Sequence, residues 1–186
     1  DQNNPLIILG ESQGTGELYR STNGGVGFSW SATGIVASDR NCFLPPFLID
    51  PNNSSRLLYA THRVYASADG GVVWSPISAD LTGGGAAAVR SLAIAPSDSN
   101  YVYAATNDRR VLRSRNGGAA FDLVLSDNPG WPRCTREIAV HPMQPETVYL
   151  AGAAFGVTQV RRSLNAGSTW SSLEGDLPDV PVNTLG

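Results

Sequence analysis

Apolar and polar residues alternate in short stretches along this chain, and glycine-rich turns separate them. Val89-Arg-Ser-Leu-Ala-Ile-Ala95 and Arg136-Glu-Ile-Ala-Val-His141 contain the alternation. A period of two is that of a strand with one face turned to a core. Asn23-Gly-Gly, Asp69-Gly-Gly, Asn116-Gly-Gly and Asn165-Ala-Gly are tight-turn sequences, because Gly and Asn tolerate positive φ. Gly and Pro interrupt every stretch that a helix would need, so the pattern predicts strands and no α-helix.

The turns belong to a repeat. Four segments align without gaps on Ser-x-Asp/Asn-x-Gly-x-x-aromatic. They carry Ser21, Asn23, Gly25 and Phe28; Ser67, Asp69, Gly71 and Trp74; Ser114, Asn116, Gly118 and Phe121; and Ser163, Asn165, Gly167 and Trp170. Successive serines lie 46, 47 and 49 residues apart. A second motif keeps step with this box. Asp50-Pro51 precedes Leu58-Tyr59-Ala60, Ala95-Pro96 precedes Val102-Tyr103-Ala104, and His141-Pro142 precedes Val148-Tyr149-Leu150. Asp1 to Gly10 fits the same slot, with Leu9 in place of Tyr.

A repeat of this length with two fixed points reads as one supersecondary unit stacked on its copies. We assign four strands, A to D, to each unit. For the last unit they are roughly residues 135–141, 147–153, 158–164 and 168–174. The box is then the C–D hairpin, where the Asp or Asn side-chain oxygen accepts backbone N–H bonds. The expected fold is all-β, a β-propeller of four-stranded antiparallel blades, either a closed four-blade ring or part of a larger propeller. The units span about 1–34, 41–80, 88–128 and 134–175 of a single domain. The first unit lacks strand A, and residues 180–186 read as a strand A that closes the ring on it. An unclosed half-ring exposes both end flanks; it then calls for a second copy, completing eight blades, or for the remainder of a longer parent chain.

These residues resemble the Asp-box, or bacterial neuraminidase repeat, over essentially the whole chain. That repeat occurs on propeller blades in sialidases, xyloglucan-degrading glycosidases, sortilin receptors and a photosystem II assembly factor. The resemblance implies a structural role for the box, at the turn between the third and fourth strands and away from any active site. Only Asp69 keeps the acid; three units carry Asn, which preserves the acceptor oxygen and drops the charge.

Function is sought on the opposite rim. Antiparallel strands place A–B and C–D turns together, and B–C and D–A loops together. From the Tyr slot to the box Ser the distances are 12, 8, 11 and 14 residues, so the B–C hairpins vary, and loop variation on a fixed scaffold is where binding resides. That rim carries Glu11, Gln13 and Glu17; Arg40, His62, Arg63 and Asp80; Asn107, Asp108, Arg109, Arg110, Trp131 and Arg133; and Phe155 and Gln159. Arg40, His62, Arg63, Arg109, Arg110, Trp131, Arg133 and Phe155 are the candidate ligand-binding residues, suited to an acidic or sugar-like ligand or a protein surface.

Composition narrows the classes. The net charge is −3 with no basic run, which disfavours nucleic acid. All thirteen basic residues are Arg. No stretch of apolar residues is long enough for a membrane span. Nothing matches zinc-ligand spacing, a calcium loop, a Gly-x-Ser-x-Gly elbow or a phosphate loop, so neither metal nor cofactor is expected. Cys42 and Cys134 could form a disulfide and fix no compartment. The Met-less start reads as a processed or excised chain, and family habit adds an extracytoplasmic or secreted location.

No sialidase motif is present, and spacing selects no catalytic pair among Asp39, Asp80, Asp127 and Asp176, which all fall near strand D exits. The expectation is therefore a non-enzymatic propeller module that binds a protein or glycan through its variable rim, or serves as an assembly scaffold. The alternative is a sialidase- or xyloglucanase-like glycoside hydrolase, or a fragment of one, with Asp80 and Asp176 as candidate carboxylates.

Overall fold

The computed structural model describes residues 1–126, 135–173 and 175–185. Its strands form four antiparallel sheets in chain order, with no helix among the described residues. Sheet one contains β1 (Ile8–Glu11), β2 (Leu18–Ser21) and β3 (Ser29–Trp30). Sheet two contains β4 (Phe47–Asp50), β5 (Asn53–Ala60), β6 (Val64–Ser67) and β7 (Ser75–Pro76). Sheet three contains β8 (Val89–Ala95), β9 (Asp98–Thr106), β10 (Val111–Ser114) and β11 (Asp122–Leu125). Sheet four contains β12 (Thr135–Val140), β13 (Val148–Gly152), β14 (Val160–Ser163) and β15 (Ser171–Ser172). Each sheet is an up-and-down meander, and β8 neighbours both β4 and β12, so the first strands of sheets two to four lie side by side.

The sheets stack face to face, with one apolar layer between each pair. Leu18, Ala32, Leu57, Tyr59, Tyr65 and Trp74 fill the layer between sheets one and two. Leu58, Ala60, Val64, Leu92, Ile94, Val102 and Ala104 fill the next. Tyr103, Ala105, Val111, Ile138, Val148 and Leu150 fill the third. The period of two is visible here: in β5, Leu57 and Tyr59 face sheet one while Leu58 and Ala60 face sheet three. Strands buried on both faces read as continuous apolar runs.

The register corrects one sequence alignment. Ile8, Leu57, Val102 and Val148 each lie opposite a box serine. Leu58, not Tyr59, is therefore the equivalent of Tyr103 and Tyr149, and a one-residue slip changes the face. Tyr59 points to sheet one, with its ring 5.9 Å from that of Trp74, and its hydroxyl accepts the Gly16 N–H at 2.9 Å. Tyr103 points the other way and donates to Pro145 O at 2.7 Å.

All four box turns have one geometry. The serine hydroxyl donates to the Asp or Asn oxygen two residues on, at 2.7–3.0 Å, and accepts the glycine N–H four residues on, at 2.7–2.9 Å. The Asp or Asn oxygen accepts further N–H groups from Gly27, Val72 and Val73, Ala120, and Thr169. Asp69 and the three asparagines do the same work, which requires an acceptor and no charge.

The tail differs from expectation. Residues 180–185 form no strand with sheet one. Val182 N–H donates to Gly152 O at 3.3 Å and Leu185 N–H to Glu137 Oε2 at 2.7 Å, so both bonds go to sheet four.

Candidate functional site

Backbone bonds sort the loops onto two rims. The box turns bond to the segment that opens each strand B: Gly24 N–H to Leu6 O, Gly70 to Ser55, Gly117 to Asn100 and Ala166 to Glu146. On the opposite rim, Leu81 N–H donates to His62 O, Val89 to Thr61 O and Asn107 to Ala88 O. These bonds tie the B–C hairpins of sheets two and three to the D–A connection between them. Trp131 and Arg133, with Asp127, lie outside the described residues.

The rim's charges are spent largely on one another. Asp39, on the connection from sheet one to sheet two, is buried to 5% side-chain exposure. Arg63 grips it with Nε to Oδ2 and Nη2 to Oδ1, both at 2.8 Å. Asp39 Oδ2 also accepts from Tyr65 O–H at 2.5 Å and from the Thr61 hydroxyl at 3.0 Å, and the Arg63 guanidinium lies 5.3 Å from the Tyr65 ring centre. Burial works to raise the Asp39 pKa, but the hydrogen bonds and the Arg63 charge outweigh it and hold the carboxyl below its usual range. His62 sits beside this group, its Nδ1 3.9 Å from Asp39 Oδ2, and that nitrogen is buried without a hydrogen bond.

A second pair links consecutive connections. Arg40 reaches Asp80 at 2.6 Å, Thr82 Oγ1 at 3.2 Å and Ala87 O at 3.2 Å. Burial again opposes ionisation of Asp80, yet the Arg40 and Thr82 bonds bring it down to about 2. Farther round, Asp108 accepts Gly83 N–H at 2.7 Å, with Arg110 Nε 3.6 Å away. Arg109 occupies the hairpin tip with φ 71°. Asp176 is exposed on the tail.

The rim also shows apolar groups. Phe155 is 69% exposed on the sheet-four hairpin. Phe43 is 72% exposed and Leu44 48%, both on the connection into sheet two; the sequence reading passed over them because they lie in no strand pattern. A cavity of about 470 Å³ beside Phe155 is lined by Gly156, Val157, Thr158, Gln159, Leu177 and Asp179. Asp179 closes it by accepting from Gly156 N–H and Gln159 Nε2, both at 2.7 Å.

Glu11 is the unusual acid. It ends β1 at this rim, its Oε2 is buried without a hydrogen bond, and burial pushes its pKa up to about 7. No group of acids, histidines or cysteines suited to a metal ion occurs among the described residues, and no described helix is long and apolar enough to cross a membrane.

Neither a protein-family model nor a curated protein matches the chain. Solved structures do. An ancestral GH74 enzyme is similar at 21% identity and TM-score 0.69, over 93% of this chain and 23% of that one. The GH74 xyloglucanase from Xanthomonas campestris is similar at 17% identity and TM-score 0.70, over 95% of this chain and 30% of that one. YCF48 bound to D1 peptide is similar at 15% identity and TM-score 0.50, over 73% of this chain and 45% of that one. The chain thus spans less than half the length of each, and the likeness shows a shared propeller-like fold.

Proposed function

We propose that this chain is a non-enzymatic binding or scaffold module that takes a protein or glycan on the rim formed by the B–C hairpins and D–A connections. One observation carries the reading. The Arg40, Arg63 and Asp108 bonds tie successive loops together, leaving Phe43 and Leu44 exposed on the connection into sheet two and Phe155 exposed beside a polar cavity on the sheet-four hairpin. Ion pairs that satisfy each other make a pre-organised frame, and exposed aromatic side chains on such a frame supply contact area at little cost in entropy. Asp80 fits a structural partner of Arg40 better than a proton donor, because at about 2 it stays ionised. A peptide-bound solved neighbour of similar fold is consistent with a protein ligand.

A glycoside hydrolase is the second reading, and Glu11 favours it. Glycosidases need one carboxyl kept protonated and one kept ionised. Glu11, pushed up to about 7, and Asp80, held near 2, are split in that sense. A screen with aryl glycosides and xyloglucan separates the readings. The scaffold reading expects no turnover above buffer; turnover abolished by Asp80→Asn, Asp176→Asn or Glu11→Gln would overturn it.

A further inference from the structure

The rim's arginines fall into two groups. Arg40, Arg63 and Arg110 stand beside Asp80, Asp39 and Asp108. No side-chain hydrogen bond or ion pair joins Arg90, Arg109 or Arg136 to another described residue. The sequence reading passed over Arg90 and Arg136, because both lie inside strand patterns.

The strands set both of these outside the apolar layers. β8 pairs with β9 at Val89–Thr106 and next at Ser91–Ala105, which leaves Arg90 bulged between them. Val89 packs in the layer toward sheet two, and Ser91 Oγ accepts Ile138 N–H of sheet four at 3.1 Å, so Arg90 points into neither layer. β12 repeats the irregularity: Thr135 pairs with Gly152 and Glu137 with Ala151, and Arg136 is bulged in the same place. Bulges re-aim a side chain and are frequent beside binding sites. Arg90 is half-buried and Arg136 exposed.

Arg109 joins them from the adjacent hairpin. Thr106, opposite Val89, is the foot of the β9–β10 hairpin, which its N–H closes on Arg110 O at 2.9 Å. Arg109 stands at the tip with φ 71°. The corresponding hairpins of sheets one and four put Gly14, Gly16 and Gly156 at positive φ. An arginine there carries backbone strain that a glycine would not, and strain kept at an accessible loop marks a functional constraint. Sheet three has a neighbouring sheet on each side, so Arg90 and Arg109 owe their free guanidinium groups to the fold rather than to an edge of the stack.

We propose that Arg90, Arg109 and Arg136 hold the carboxylates of an extended acidic peptide; this rests on reading the rim as the binding face and names the chemistry of its partner. A guanidinium is a planar fork that matches a carboxylate in two parallel hydrogen bonds. Arg90 and Arg136 hold one place on adjacent sheets, and packed sheets lie about 10 Å apart. Acidic residues two or three positions apart on an extended chain are separated by about 7–10 Å, so each guanidinium takes its own carboxylate. Three such groups on a chain of net charge −3 give a nucleic-acid backbone few phosphate contacts, and the peptide is the better fit.

The test titrates fluorescein-labelled hexaglutamate with the whole chain at low salt and follows fluorescence anisotropy. The peptide should bind, and inorganic phosphate at matched ionic strength should not displace it. Arg90→Gln and Arg136→Gln should each weaken binding about threefold to fivefold, the scale of one exposed ion pair. Arg109→Gly should weaken it similarly while raising the thermal midpoint, because it relieves the positive φ. The triple variant should lose about thirtyfold. Arg115→Gln is the control, an exposed arginine on the box turn of sheet three at the other rim, and should leave binding unchanged. Thermal midpoints no lower than that of the unaltered chain certify folding. Absence of binding, equal affinity in the triple variant, an equal loss from Arg115→Gln, displacement by phosphate, or tighter capture of a six-residue oligothymidylate would overturn the proposal. The glycoside screen is independent of this outcome: a chain that neither captures the peptide nor turns over a glycoside loses this inference and keeps the scaffold reading.

Discussion

Arg56 joins two sheets through one guanidinium, pairing with Asp50 at 2.5 Å and donating to Gly117 O at 2.6 Å. Asp50 is fully buried in its side chain and also accepts from Ser99 Oγ of sheet three at 2.7 Å. The burial that would raise its pKa is offset by the Ser99, Asn52 and Arg56 bonds and the Arg56 charge. Removing Arg56 leaves this carboxylate without its counter-charge. Arg56→Ala should cost about 3–5 kcal/mol, read as a lower urea midpoint at unchanged m-value. A loss under about 1 kcal/mol, the scale of a surface pair, would mean that the junction is held by apolar packing alone.

The box glycines should not be equivalent. Gly25 and Gly118 both have positive φ, at 90° and 95°. A Cβ at Gly25 meets only Ile8 of its own sheet at 3.5 Å, whereas one at Gly118 meets Ile77 of the preceding sheet at 2.8 Å. Gly25→Ala pays about 1 kcal/mol for the left-handed conformation, and Gly118→Ala should lose about 1–2 kcal/mol more from overpacking. Equal losses by denaturant unfolding would show that the close approach has no energetic weight.

These positions also show where sequence reading succeeds and stops. The box turns were legible because Ser, Asp or Asn, and Gly act within five residues of each other. The two rims followed from antiparallel strands alone. The arginines that bridge neighbouring sheets were not legible: Arg20, which donates to Gly70 O, and Arg113, which donates to Ala166 O, come from strand C, but Ala66 fills that place in sheet two and Arg56 reaches from strand B instead. Long side chains arrive at one acceptor from two registers, so no spacing marks them. Asp39 meets Arg63 across 24 residues and Tyr65 across 26, and only folding brings them together. Tyr59 was misaligned because a tyrosine one place away outweighed the count from Pro51, which points to Leu58.

The box charge should be dispensable and its serine should not. Asp69→Asn copies what three units carry and should change stability by less than about 0.5 kcal/mol. Ser67→Ala removes the hydroxyl that bonds Asp69 at 2.7 Å and Gly71 N–H at 2.9 Å, and should cost about 1–2 kcal/mol. A larger loss from Asp69→Asn than from Ser67→Ala would assign the turn's stability to charge.

Glu11 gives the pH dependence a sign. Burial raises its folded pKa to about 7 from 4.5, so between these values the folded chain binds more protons than the unfolded one. Stability from this group therefore falls as pH rises from 4.5 to 7, and the penalty stays at higher pH. Asp39 and Asp80 act oppositely: their contribution is present above the unfolded value and lost only as pH falls through their lowered folded pKa. Glu11→Gln should raise the thermal midpoint at pH 8 by about 2–4 °C and leave it nearly unchanged at pH 4. A gain at pH 4 that equals the gain at pH 8 would remove ionisation as the cause.

Neighbouring sheets are joined where an arginine of one reaches a box-turn carbonyl of the next: Arg20 to Gly70, Arg56 to Gly117 and Arg113 to Ala166. Urea unfolding of Arg113→Gln tests this junction most directly, because Arg113 is 8% exposed. A midpoint lowered at unchanged m-value, by about 1–3 kcal/mol, is the predicted result. A midpoint equal to that of the unaltered chain would contradict it.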